Sequence, residues 1–409
     1  MFVIVVGLLL WGGAAHADPG EVAAIRDARA TLEVRPHAED EVWRNIRAGG
    51  LPLIEDHPED ADLRRVTFAI QAPQSVEAIR LDSVINAGEA RRPVENYLTD
   101  FTLDMHQLAG TRIYYRTVDV PRDVSAAYSF LGLADQGWRR LTDRHNLVHL
   151  RGGAAEAVLM AEPRYRHPAI VPMPAAERVD ARPMALESEV LGRSVFLERY
   201  ALGGAGENDP VLIIYDRFLW GVRAPASEIV QRLQNAGDLP PMHVVLIDQL
   251  DPASAEQAYA DQILFLSREL PDFLAEFGMA GPRILAGASR RGMVASIAAL
   301  SAPDEVLAVI SLSGSFYWAP RDELPRWPER QVGPASEDAP RFILAAGSLE
   351  TVETSTNQGH IMLDTNRSMT TALSDAGYRA ELLIYPGGHD IAGWRQALAV
   401  SLERLFAED

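Results

Sequence analysis

A chain of 409 residues with 47% hydrophobic and 23% charged residues has material for more than one core and is too apolar for a disordered polymer. A formal net charge of -19 excludes a nucleic-acid partner held through phosphates, while leaving room for a small anion in a local basic pocket. With no cysteine, neither disulfides nor a thiol-linked lipid anchor is available.

Residues 2–10 are almost wholly apolar and run through Trp11 into the small-residue stretch ending Ala15-His16-Ala17. This predicts a secretory signal at residues 1–17, cleaved after Ala17, because the run is much shorter than the ~20 residues a membrane-spanning helix needs. The mature chain is then expected to be soluble and periplasmic or secreted. A short helical pattern over 21–47 is followed by β-rich runs at 66–70, 111–118 and 125–131, separated by turn residues. Aromatic and β-branched content favours strands there and predicts a β-sandwich of about immunoglobulin size. Prolines then accumulate (Pro163, Pro168, Pro172, Pro174, Pro183), which marks a linker and places a boundary near residue 185.

From 186 to 409 the pattern alternates. Apolar strands are expected at 195–201, 210–215, 243–247, 283–286, 306–312, 342–346 and 380–385, and helices at 258–277, 290–300, 364–376 and 391–406. Such repetition predicts an α/β domain with a mostly parallel sheet and helices on both faces.

Within it, the strand at 283–286 runs into Gly287-Ala288-Ser289-Arg290-Arg291-Gly292 and then a helix. This is the context of a nucleophile elbow, where a serine on a tight strand-to-helix turn needs small neighbours and the helix start offers N–H groups to an oxyanion. A serine there could instead cap the helix. The order of the other groups favours catalysis. His389 follows the last strand on Pro386-Gly387-Gly388, where a general base belongs, and Glu350 follows the strand at 342–346 as the orienting acid, with Glu353, Asp364 and Asp390 as alternatives. Arg290, the residue after the nucleophile, would supply the first oxyanion N–H.

With these motifs the chain resembles the enterochelin (enterobactin) esterases, a branch of the α/β-hydrolases. The resemblance rests on 245–251 (Val-Leu-Ile-Asp-Gln-Leu-Asp), the elbow at Ser289, 313–318 (Ser-Gly-Ser-Phe-Tyr-Trp), and Gly387-Gly388-His389-Asp390 with Trp394-Arg395. It implies a β-sandwich ahead of the hydrolase domain and hydrolysis of a ferric catecholate siderophore, with no metal or organic cofactor in the chemistry. Two positions depart from the family pattern: Arg291 stands where glycine is usual, and Arg217 stands in the loop expected to supply the second oxyanion N–H. A bulky aromatic trianion would be held by arginines and aromatic walls, for which Arg291, Trp220, Phe316, Tyr317 and Trp318 are the candidates. The competing expectations are an exported esterase or acyltransferase for another substrate, and a binding protein with a degenerate site.

Overall fold

A computed structural model describes residues 22–86, 101–146, 148–152, 156–248, 255–353 and 358–407. The signal at 1–17 and the part of the 245–251 motif from Gln249 to Asp251 lie outside them.

Two helices, α1 (Ala23–Val34) and α2 (Glu39–Arg47), precede nine antiparallel strands. These are β1 (Leu53–Asp56), β2 (Leu63–Gln71), β3 (Ala78–Ser83), β4 (Thr102–Asp104), β5 (His106–Gln107), β6 (Ile113–Pro121), β7 (Ser125–Ala134), β8 (Gly137–Leu141) and β9 (Ala157–Met160). One sheet has the order β1-β2-β6-β5, and the other β4-β3-β7-β8 with β9 added on β7. Val66 and Phe68 of the first sheet share a core with Ile79, Leu81, Tyr128 and Phe130 of the second, so the two sheets form a sandwich. Part of the opposite face of the first sheet is covered as well. Ala69, Ile113 and Tyr115 pack there against Ile25, Leu32, Trp43 and Ile46 of the two helices.

The remaining strands are β10 (Arg182–Ser188), β11 (Arg193–Leu202), β12 (Val211–Tyr215), β13 (Met242–Ile247), β14 (Arg283–Ala288), β15 (Val306–Leu312), β16 (Arg341–Gly347) and β17 (Ala380–Tyr385). They form one eight-stranded sheet of order β10-β11-β13-β12-β14-β15-β16-β17, parallel from β13 to β17 and antiparallel at β10 and β11. The central strands are buried on both faces. Leu212 and Ile214 of β12 enter one core and Val211, Ile213 and Tyr215 the other, which is why the strand reads as an unbroken apolar run. Helices α3 (Ala226–Ala236), α4 (Ala255–Leu264), α5 (Leu270–Glu276), α6 (Arg290–Ser301), α7 (Trp327–Arg330), α8 (Met362–Asp375) and α9 (Ile391–Phe406) complete the α/β-hydrolase architecture.

Three features differ from the sequence expectation. β10 spans position 185 inside the proline-rich stretch; Pro183 is tolerated because β10 is an edge strand with only β11 as neighbour. The helix expected over 258–277 is divided by a π-helical segment, Phe265–Glu269, directly before Pro271. A proline ring collides with the carbonyl four residues earlier, and the wider turn relieves that clash. Helix α3 was not anticipated.

Strand order reverses at β12, which has β13 on one side and β14 on the other. The crevice outside the carboxyl ends of such strands is where ligands bind in open α/β sheets. The sandwich stands over this end: Ser125 N–H donates to the Pro386 carbonyl at 3.0 Å, and Ala127 N–H to Asp390 Oδ2 at 2.9 Å.

Candidate active site

Ser289 joins β14 to α6 with φ 55° and ψ -123°, a left-handed conformation rare for a residue with a side chain. Its side chain makes no capping bond to α6, so the helix-cap reading does not describe it. The turn closes only because its neighbours are small. A Cβ on Gly287 would lie 2.6 Å from the Arg291 carbonyl carbon, and one on Gly292 would lie 2.4 Å from Ser311 Oγ. Gly287→Ala is therefore expected to lower stability by about 1–3 kcal/mol, the usual range for overpacking, because the obstructing atoms are backbone. An unchanged denaturant midpoint would show that the elbow relaxes freely.

His389 Nε2 lies 3.0 Å from Ser289 Oγ, and its Nδ1 lies 2.6 Å from Glu350 Oε1. A carboxylate only accepts, so the Nδ1 proton donates to Glu350 and Nε2 is left to accept from the serine hydroxyl. His389 is placed by the Gly387-Gly388 turn after β17 and by Trp394, whose ring meets it edge-on at 5.0 Å.

Glu350 is buried, and its second oxygen is fully engaged. Oε2 accepts from Gly347 N–H at 2.6 Å and from Ser313 Oγ at 2.9 Å. Ser313 in turn accepts from the Trp394 indole N–H at 2.9 Å, and the Tyr385 hydroxyl lies 2.7 Å from it. The indole can only donate, which frees the serine proton for the carboxylate. The other acids do different work. Asp390 caps α9 through Ala392 and Gly393 N–H while receiving Ala127 N–H, and burial pushes its carboxyl up to about 6. Asp364 is exposed and paired with Arg367 at 2.8 Å, and Glu353 is exposed.

The three residues open onto a cavity of about 330 Å³ whose lining comes from both parts of the chain. Arg290 and Tyr317 line it beside Ser289, with Leu349, Val352 and Met362. As the first residue of α6, Arg290 has a backbone N–H with no acceptor inside the helix, the requirement for an oxyanion donor. Arg217 follows β12, next to β14 in the sheet, but its side chain turns to Glu198 at 2.8 Å and Asp248 at 3.5 Å.

Of the residues proposed as substrate walls, Tyr317 is the one that reaches the cavity. Trp220 and Phe316 have no exposed surface and belong to the two cores of the sheet, so neither can touch a ligand. Trp318 packs edge-on against Tyr259 and Trp327. Arg291 lies over the Tyr215 ring at 6.0 Å and does not line the cavity. Aromatic residues that follow a buried strand were taken up by packing, the larger free-energy gain.

The resemblance implied that the sandwich could complete the pocket from above, but sequence reasoning named none of the residues of that opposite wall. Asp82, Ser83, Val84, Tyr128, Ser129, Arg140 and Glu156 line it. Arg140 organises that wall, donating to Ser129 Oγ at 2.8 Å, Asp82 at 3.1 Å and Glu156 at 3.3 Å. These residues are spread over four separate segments, and no linear spacing announces them. Ser315, whose Oγ is 3.3 Å from Ser289 Oγ, was likewise quoted in a motif without a role.

Residues 199–405, just over half of the chain, match the Esterase family model, described as "Putative esterase". The chain belongs to this esterase family. It is 26% identical over 334 residues to the iron(III) enterobactin esterase of Escherichia coli K12, covering 74% of this chain and 81% of that one. To the iron(III) enterobactin esterase of Dickeya dadantii it is 24% identical, over 93% of this chain and 96% of the relative. Enterobactin esterase from Shigella flexneri, crystallised in the presence of enterobactin, superposes with a TM-score of 0.69 at 20% identity, covering 90% of this chain and 98% of that one. That last likeness is one of fold and includes the sandwich as well as the hydrolase sheet.

Proposed function

We propose that this esterase hydrolyses the ester bonds of a ferric catecholate siderophore of the trilactone type, with Ser289 as nucleophile, His389 as general base and acid, and Glu350 as the orienting acid. The observation that carries the mechanism is the continuous hydrogen-bonded series Ser289 Oγ, His389 Nε2, His389 Nδ1, Glu350 Oε1, at 3.0 and 2.6 Å, on the wall of a cavity. The substrate class rests on the named relatives, three enterobactin esterases and a salmochelin esterase.

In acylation, Ser289 Oγ attacks the ester carbonyl carbon while His389 Nε2 takes the hydroxyl proton. Glu350 stabilises the resulting imidazolium, and the Arg290 N–H, with Arg217 N–H as the second candidate donor, receives the carbonyl oxygen. His389 then returns the proton to the leaving alkoxide. Water, deprotonated by His389, attacks the acyl-enzyme and releases the free acid and Ser289. Tyr317 and the apolar side chains of Leu349, Val352 and Met362 suit catechol rings, and the exposed Arg290 guanidinium suits their oxygens. Iron enters only as part of the substrate. Export is part of this reading, supported by the apolar run at 2–10 and the Ala15-His16-Ala17 site.

The test is covalent labelling of the purified protein by a fluorophosphonate, read by intact mass. One adduct is expected, absent in Ser289→Ala and suppressed by a ferric trilactone siderophore. No adduct on the parent protein would remove the activated nucleophile, and an adduct indifferent to the siderophore would leave an esterase for a different ester.

A further inference from the structure

Trp394 supports the catalytic pair, but its neighbour Arg395 does not touch the site. Arg395 is 7% exposed, and its Nε and Nη2 have no hydrogen-bond partner among the described residues. It lines a second, small cavity of about 40 Å³ together with Arg223, Arg151, His149 and Glu228. Arg223 is also largely enclosed, and its Nε is buried without a hydrogen-bond partner among the described residues.

The carboxylates near this cavity are already committed. Glu228 accepts from Arg151 at 3.1 Å, from Arg178 at 3.0 Å and from Met173 N–H at 3.0 Å. Glu156 pairs with both Arg223 and Arg140. Asp390 attracts Arg223 and Arg395 at longer range while its oxygens accept from three backbone N–H groups. A further cation, Arg166, lies close enough to repel Arg395. The outcome is an excess of buried positive charge inside a protein of net charge -19.

Burial lowers Arg395 to about 10, which still leaves it protonated at neutral pH. A desolvated guanidinium without a partner is strongly unfavourable unless a counter-charge reaches it. The space available admits a single small ion or one to a few waters, and no organic substrate.

We propose that this cavity is a binding site for a small monovalent inorganic anion of chloride size, held by the Nε and Nη2 groups of Arg395 and the Nε of Arg223. The site is separate from the esterase chemistry and joined to it through Arg223, whose partner Glu156 lines the larger cavity. An anion bound to the folded state alone raises stability with its concentration.

The test is thermal unfolding of the whole protein in sodium chloride and in sodium gluconate at matched ionic strength, gluconate being too large for the cavity. Chloride is expected to raise the midpoint saturably by roughly 2–4 °C. Arg395→Met is expected to lose this difference without falling below the parent in gluconate, since removing an uncompensated buried charge is neutral or stabilising. Equal midpoints for the parent in both salts, or a chloride increment that survives in Arg395→Met, would overturn the proposal. Should the variant not fold, crystals of the parent soaked in bromide decide the matter: an anomalous peak against the Arg395 guanidinium supports the site, and its absence overturns it.

Discussion

Ser289→Ala is expected to lower the turnover of an ester substrate by at least ~10⁴-fold while leaving the fold intact. The loss is chemical because the hydroxyl has no structural duty: its hydrogen bonds go to His389 and, at 3.3 Å, to Ser315, and it does not cap α6. Alanine meets the same backbone requirement at φ 55° as serine, so the strain of the elbow is unchanged. The melting temperature should therefore stay close to that of the parent. Steady-state hydrolysis of an activated ester and of a ferric trilactone would check the expectation, with single-turnover kinetics separating acylation from release. Activity within tenfold of the parent, in protein free of contaminating esterase, would mean that another group attacks the carbonyl.

Glu350→Gln is expected to produce a loss of similar size, about 10⁴-fold in kcat, through the histidine. Gly347 N–H and Ser313 Oγ both donate to one carboxylate oxygen, so a glutamine keeps its carbonyl there and turns its amide NH₂ toward His389 Nδ1. That donor forces the histidine proton onto Nε2, which then cannot accept from Ser289. The shape is preserved while the tautomer is wrong. KM should change little, because Glu350 orients the base and does not hold substrate. Asp364→Asn is the matching control: that residue is exposed, pairs with Arg367 among the described residues and should leave kcat unchanged. If Asp364→Asn lost activity and Glu350→Gln kept it, the acid would be misassigned.

The groups that were legible in the sequence share a property. Ser289, His389 and Glu350 each follow a parallel strand by a few residues, and the strand and turn before each carry their own local signature. Choosing Glu350 over Glu353 rested on nearness to the strand end, and the geometry supplies the reason: Gly347 N–H, three residues away, holds its free oxygen. Helix α9 was likewise readable to both ends, since Asp390 and the apolar spacing mark it locally.

Apart from Tyr317, the substrate walls proposed from the sequence failed, because they needed knowledge of which way a side chain faces across the fold. Trp220 and Phe316 look like binding aromatics when read next to the elbow, yet the sheet turns both into its cores. Where the Arg217 side chain goes was equally illegible, since Glu198 on β11, distant in sequence and near in the sheet, holds it. The cavity wall of Asp82, Ser129, Arg140 and Glu156 exists only because the sandwich closes over the carboxyl ends of the strands, tied there by Ser125 and Ala127.

By itself, then, the order of residues determined the strand-helix alternation and the three groups of the hydrogen-bonded series, because short-range backbone geometry and hydrophobic period encode both. Only the tertiary structure decided which aromatics line the cavity, which carboxylates are already committed to arginines, and that Arg395 is buried without one among the described residues. Those outcomes depend on contacts between segments far apart in the chain, and no local pattern carries that information.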